Sequence, residues 1–172
     1  VRDPVFRDFV QRLWRDEIIP IVTPPEGLDL KTYAEGLLER YANPAIQHKT
    51  WQIAMDGSQK LPQRILGSIT DAYMTGRRCD GLILAVAGWM LYVGGIDEKG
   101  NPIEVKDPLA ARLRALSDQS TGPREKVAAL LNVQEVFTPD LAEMLKDDLG
   151  RAYEALDDVG ARECARICGH QT

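Results

Sequence analysis

The longest uninterrupted apolar stretch in the chain runs from Leu82 to Val93 and contains Gly88. Crossing a bilayer takes about 20 apolar residues, so a stretch of this length predicts a buried helix and not a membrane span. The segments on either side have apolar residues at helical spacing, which allows them to pack around a buried helix. The sequence therefore predicts an all-α fold, with residues 1–172 forming a single multi-helical domain and no membrane partner.

The composition narrows the possible partners of such a domain. The 172 residues are 44% hydrophobic, which is enough for a proper core, and the net charge is −5. An acidic surface argues against nucleic acid, because phosphate backbones require basic partners. The three cysteines are few and unevenly spaced, which favours reduced thiols and a cytoplasmic location. Cys164, Cys168 and His170 fall short of the four ligands of structural zinc, so no metal is predicted.

Capping and breaking residues divide the chain into successive helices. Start signals occur at Asp3-Pro4, Asp29, Asp107-Pro108, Pro123 and Thr138-Pro139, and stop signals occur at Asn43-Pro44, Gly76 and Gly94-Gly95. The helix that follows Asp29 is expected to bury one face, formed by Tyr33, Leu37, Leu38 and Tyr41. The last long helix is expected to end near Asp157, with a terminal helix over 161–168. Strands are scarce in this pattern.

The segment from Asp56 to Arg64 has an unusual charge distribution. Ser58 is a plausible N-cap for a helix beginning near Gln59, and Pro62 is expected in its first turn. Lys60 and Arg64 then place positive charge near a helix N-terminus, where the helix dipole disfavours it. A carboxylate or phosphate bound at this entrance would make the arrangement favourable. The alternative is that both side chains point into solvent or pair with acidic residues.

Four blocks of sequence, in the same order, resemble the C-terminal domain of the mannitol dehydrogenase family of long-chain polyol and sugar-acid oxidoreductases. They are Glu17-Ile18-Ile19-Pro20, Pro25-Glu26-Gly27-Leu28-Asp29-Leu30 with Tyr33, Leu38-Glu39-Arg40-Tyr41-Ala42-Asn43-Pro44-Ala45-Ile46, and Asp56-Gly57-Ser58-Gln59-Lys60-Leu61-Pro62. The stretch Trp51-Gln52-Ile53-Ala54-Met55 is most similar to the branch of fructuronate reductases, also called mannonate oxidoreductases.

This resemblance implies hydride transfer between NAD(H) and a carbinol carbon, with a lysine base flanked by asparagine and histidine. The family's Lys-x-x-x-x-Asn-x-x-His spacing is absent from the chain, and so is a G-x-G-x-x-G fingerprint. Gly94-Gly95 is followed by Asp97 and Glu98, where a phosphate-binding helix should begin. We therefore expect no catalytic residue here, and we expect the nucleotide-binding domain, which holds most of the NAD, upstream of Val1. The chain alone is expected to be inactive.

The charge pattern around Lys60, positions near it in the sequence and the resemblance together suggest which residues meet a sugar acid or polyol. The candidates for substrate binding are Lys60, Arg64, Gln52 and His48. Mannitol-using members tend to place an arginine near the position of Gln52, so the neutral amide argues against simple mannitol specificity. His48 is also compatible with an exposed loop position.

Three functions remain open from the sequence. The favoured one is the C-terminal domain of an NAD-dependent oxidoreductase that interconverts a keto-hexuronate and an aldonate, of the fructuronate and mannonate type. The second keeps this enzyme class but uses mannitol or another neutral polyol. The third is a cofactor-free helical interaction module, which explains the helices but not the cations at the start of the Lys60 helix.

Overall fold

A computed structural model describes residues 3–46 and 50–168 of the chain. These residues form a helical fold whose only β-type pairing is an isolated antiparallel bridge between Ile96 and Pro102. The helices, in order, are α1 (Pro4–Arg12), α2 (Leu30–Ala42), α3 (Thr50–Ala54), α4 (Gly57–Arg64), α5 (Leu66–Met74), α6 (Asp80–Tyr92), α7 (Ala110–Gln119), α8 (Pro123–Leu131) and α9 (Pro139–Ile167). The all-α prediction is confirmed.

The apolar stretch forms α6, which lies at the centre of the molecule as predicted. Its Val86, Ala87 and Met90 side chains have no exposed surface. The long helix α9 packs along α6, and α8 packs in turn on α9. Because α6 is apolar all round, burial of most of its surface stabilises the fold, and only the side with Leu84, Gly88 and Leu91 is partly exposed. None of the described helices is both long enough and apolar enough to cross a membrane.

Helix α6 begins with help from a carboxylate far away in the sequence. After α1, the chain continues as a π-helical segment, Leu13–Ile18, which carries Glu17 to the start of α6. Glu17 accepts hydrogen bonds from the backbone N–H groups of Gly81 (2.7 Å) and Leu82 (2.9 Å). Burial raises the pKa of Glu17, although these two hydrogen bonds act in the opposite direction. Glu17 thus replaces the cap that Cys79 lacks.

Capping residues and glycines in the sequence predict most of the helix ends correctly. The Asp3 carboxylate accepts a hydrogen bond from the Val5 N–H over 2.8 Å, and Asp29 accepts from the Thr32 N–H over 3.0 Å. Gly76 and Gly95 end their helices with positive φ angles of 64° and 68°, a conformation that glycine adopts at little cost. The terminal helix is separated from the preceding one by the non-helical backbone of Gly160 within α9.

Helix α2 differs from the prediction, because its expected apolar face is only partly buried. Of its thirteen residues only Leu38 is buried, whereas Tyr33 is 51% and Tyr41 48% exposed. Tyr33, Leu37 and Tyr41 follow one another at four-residue spacing, so they lie along one stripe of the helix. The helix packs on the chain by its Leu38 side and leaves this stripe without a covering layer among the described residues.

Candidate functional site

The segment with the unusual charge distribution folds as a tight turn followed by α4. Asp56 adopts the left-handed backbone conformation, with a φ of 57°. Its carbonyl oxygen accepts hydrogen bonds from the backbone N–H groups of Gln59 (3.1 Å) and Lys60 (2.9 Å). The helix therefore begins two residues before Gln59, and the predicted cap at Ser58 is wrong, because Asp56 stands at the helix start and provides no side-chain cap.

Ser58 is buried and contacts a carboxylate from a distant part of the chain. Its backbone N–H donates to Oδ2 of Asp107 over 2.8 Å, and its hydroxyl donates to Oδ1 over 2.6 Å. The Asp107 carboxylate thus lies at the positive end of the α4 dipole, where an anion is stabilised. The anion expected at this entrance is supplied by the chain itself, so these donors require no external ligand.

The glycine of the turn fits against an aromatic ring. A Cβ atom added to Gly57 would lie 2.2 Å from Nε1 and 2.5 Å from Cδ1 of Trp89. Trp89 lies in the core and is 8% exposed, so its indole has little room to move. Glycine is required here by close packing and not by backbone conformation, since the φ of Gly57 is not positive.

Lys60 turns back towards the helix that precedes its own. Its ammonium donates to the backbone carbonyl of Ile53 over 3.3 Å and also to that of Met55. These carbonyls lie at the C-terminal end of α3, which carries partial negative charge and favours a cation. An ammonium has three N–H donors, so two are used and one remains for a ligand. The side chain is therefore held in place while keeping a free donor.

Two of the other predicted substrate residues lie on α3 and α4. Gln52 is exposed on α3, the helix whose last carbonyls hold Lys60. Arg64 ends α4 one turn after Lys60 and is exposed, and its guanidinium has no partner among the residues described. His48 lies outside the described residues. The structure therefore brings Gln52, Lys60 and Arg64 to neighbouring elements.

A cleft of about 440 Å³ opens beside α3. It is lined by Thr50, Ala54, Tyr92, Ile103 and Glu104. Tyr92 ends α6, and Ile103 and Glu104 lie in the segment that follows it. The sequence did not predict that these residues lie beside α3. No local pattern in the sequence signals this proximity, because the contributing residues are about 40 to 50 positions apart.

The turn that follows Gly95 does not fit a dinucleotide. After Gly95 the backbone enters a tight turn, where the Asp97 carboxylate accepts hydrogen bonds from the N–H groups of Lys99 (2.9 Å) and Asn101 (2.8 Å). A dinucleotide site needs a helix N-terminus with free N–H groups after its glycines. An acidic side chain already occupies the N–H groups here, so this turn does not hold a pyrophosphate.

The titratable groups elsewhere form structural contacts. Within residues 3–46 and 50–168, no cluster of three or more His, Cys, Asp or Glu side chains has a metal-binding arrangement. Burial raises the pKa of the Cys168 thiol to about 11 and that of Cys79 to about 12, which makes both poor nucleophiles. The Tyr73 hydroxyl donates to Asp148, which also pairs with Arg151, and this links α5 to α9.

Comparison with known proteins supplies the wider context. The family model for the mannitol dehydrogenase C-terminal domain matches residues 1–157. D-mannonate oxidoreductase of Escherichia coli is 44% identical over 167 residues, which cover 95% of this chain and 34% of that protein. A mannitol dehydrogenase of Saccharomyces cerevisiae is 36% identical and is matched over 92% of this chain and 31% of its own length.

A solved structure gives the same picture of the fold. The mannitol 2-dehydrogenase of Pseudomonas fluorescens, in a ternary complex with NAD and D-mannitol, matches 99% of this chain with a TM-score of 0.89 and 27% sequence identity. The match covers 34% of that protein. The chain thus spans about a third of the length of the relatives it matches.

Proposed function

Because the chain belongs to the mannitol dehydrogenase family, as its C-terminal domain, we propose that it is the substrate-side part of a longer NAD-dependent oxidoreductase. Its proposed reaction interconverts a keto-hexuronate and an aldonate, of the fructuronate and mannonate type. The observation that carries this choice is the 44% identity to D-mannonate oxidoreductase over 95% of the chain, against 36% to a mannitol dehydrogenase.

Lys60 is the proposed contact to the substrate carboxylate. Its ammonium is fixed by two backbone carbonyls and keeps one donor, which suits a charge-assisted hydrogen bond to an incoming anion. Gln52 lies on α3 and Arg64 on the same helix as Lys60, and we keep both as substrate contacts. His48 stays a prediction, since it lies outside the described residues.

The turn after Gly95 has no free N–H groups for a pyrophosphate, so the proposed partner of the chain is the nucleotide-binding part of the same protein. Helix α2 supports such a partner. A helix of 13 residues is marginally stable in water unless one face is packed, yet the Tyr33, Leu37 and Tyr41 stripe is largely uncovered here. A covering layer from the rest of the longer protein would stabilise it.

The three free thiols support a cytoplasmic setting for the enzyme.

A neutral polyol is the second candidate substrate. It is favoured by the close match in fold to a mannitol 2-dehydrogenase that was solved with D-mannitol. A polyol has no carboxylate, so its contact to Lys60 would be a hydroxyl oxygen. Such a bond lacks the attraction between two opposite charges that a carboxylate adds.

The two candidates predict different substrate preferences for the full-length protein. With NADH in excess, we expect kcat/KM for a keto-hexuronate to exceed that for fructose by about 10-fold or more, because only the uronate brings a negative charge to Lys60. Initial rates of NADH oxidation with fructuronate, tagaturonate and fructose measure this ratio. A higher kcat/KM for fructose would favour the polyol function, and turnover of none of them would favour the interaction module.

A further inference from the structure

We propose that Asp107 is a positioning residue for substrate recognition, because its carboxylate fixes the first turn of α4 and thereby the place of Lys60. This inference rests on the proposed function and identifies a residue that controls Lys60 from outside the segment that contains it. Asp107 does not touch the substrate in this proposal. It acts through Ser58.

The contact between Asp107 and α4 is well suited to this role. Its two carboxylate oxygens accept three hydrogen bonds, from the Ser58 N–H, from the Ser58 hydroxyl and from the Leu109 N–H at 2.9 Å. Ser58 is 3% exposed, so water does not compete effectively for these bonds. The carboxylate thus joins two segments separated by 49 positions in the sequence.

A second hydrogen bond fixes the same turn and joins residues close to Ser58 and Asp107. The Asp56 N–H donates to the Lys106 carbonyl over 2.9 Å, so both sides of the turn are attached to one short segment. The Lys60 backbone N–H bonds to the Asp56 carbonyl, as described above. A shift of the turn therefore moves the backbone of Lys60 and displaces its ammonium from the carbonyls of α3.

An amide would not replace this carboxylate. Asparagine offers one acceptor oxygen and an NH₂ group, which would face donors already present at Ser58 or Leu109. Asp107→Asn therefore keeps the size of the side chain but leaves at least one buried donor without a partner. It also removes the negative charge from the positive end of α4.

The test is a double-mutant cycle in the full-length enzyme, with steady-state kinetics on a keto-hexuronate. We expect Asp107→Asn to raise KM by about 10-fold with little change in kcat, since it misplaces a binding group and not a reacting one. In the Lys60→Ala background, the same substitution should change KM by less than about 2-fold, because there is no ammonium left to misplace. Asp118→Asn, which removes a carboxylate from an exposed ion pair on α7, is the matched control and should leave KM unchanged.

The outcomes separate this inference from its premise. An unchanged KM in a folded Asp107→Asn enzyme, or an equal change in both backgrounds, would show that Asp107 only stabilises the fold. If Asp107→Asn does not fold, Ser58→Ala takes its place in the same cycle and should raise KM by about 3-fold, only when Lys60 is present. If the parent enzyme turns over neither uronate nor polyol, the proposed function itself fails.

Discussion

Lys60→Ala in the full-length enzyme should lower kcat/KM for a keto-hexuronate by about 10- to 150-fold. A hydrogen bond to a charged group contributes on the order of 1.5–3 kcal/mol, which corresponds to that range. Affinity for NADH should barely change, because the proposed function places the nucleotide site in the rest of the longer protein. A neutral sugar has no carboxylate to lose and should be affected less.

Lys60 also stabilises the end of α3, so stability has to be followed in the same experiment. The substitution removes the cation from the carbonyls of Ile53 and Met55, at an expected cost of about 0.3–1 kcal/mol. Lys146→Ala, at an exposed position on α9, controls for the loss of one positive charge. If kcat/KM for the uronate is the same in Lys60→Ala and in the parent, Lys60 has no role beyond holding α3.

Gly57→Ala should destabilise the protein by about 3 kcal/mol, at the upper end of the usual cost of overpacking a core. Two effects compete at this position. Alanine favours a helix over glycine by about 1 kcal/mol. The added Cβ, however, would lie 2.2 Å from the Trp89 indole, which is buried and cannot retreat into solvent. The clash dominates, so the sign of the change is destabilising.

A glycine elsewhere provides the control for this prediction. Gly67 lies in α5, and a Cβ atom added there would meet no atom of a neighbouring element within 4 Å. Gly67→Ala should therefore stabilise the protein by up to about 1 kcal/mol, through helix propensity alone. Urea unfolding of both variants measures the difference. A stabilised or unchanged Gly57→Ala variant would mean that Trp89 can move aside and does not fix the turn.

The parts of the fold that were predictable depend on local chemistry. Caps such as Asp3 and Asp29 act within three residues, and the glycines at 76 and 95 act on their own backbone. The buried α6 followed from an apolar stretch too short for a membrane. By contrast, the burial of Tyr33 and Tyr41 was predicted from helical spacing, but it depends on a neighbouring layer that spacing cannot provide.

The candidate site also combines features that local sequence predicts with features that depend on distant parts of the chain. The sequence indicated a positive helix entrance in need of an anion, and the structure contains that anion as Asp107, 49 positions from Ser58. Nothing in the local pattern assigns this pairing, because any of the 26 acidic residues had the required charge. The same limit applies to Glu17 at the start of α6. The pairing of a carboxylate with a helix start that is distant in the sequence can be assigned only from the folded structure.

The most direct test of the central claim compares the full-length protein with the 172-residue chain in one assay of NADH oxidation with a keto-hexuronate. The claim is that this chain provides substrate recognition, whereas the catalytic and nucleotide-binding groups lie elsewhere in the longer protein. We predict turnover by the full-length protein, and neither turnover nor NADH binding by the isolated chain. Turnover by the isolated chain at a comparable rate would contradict the claim, as would a full-length protein that reduces no keto-hexuronate.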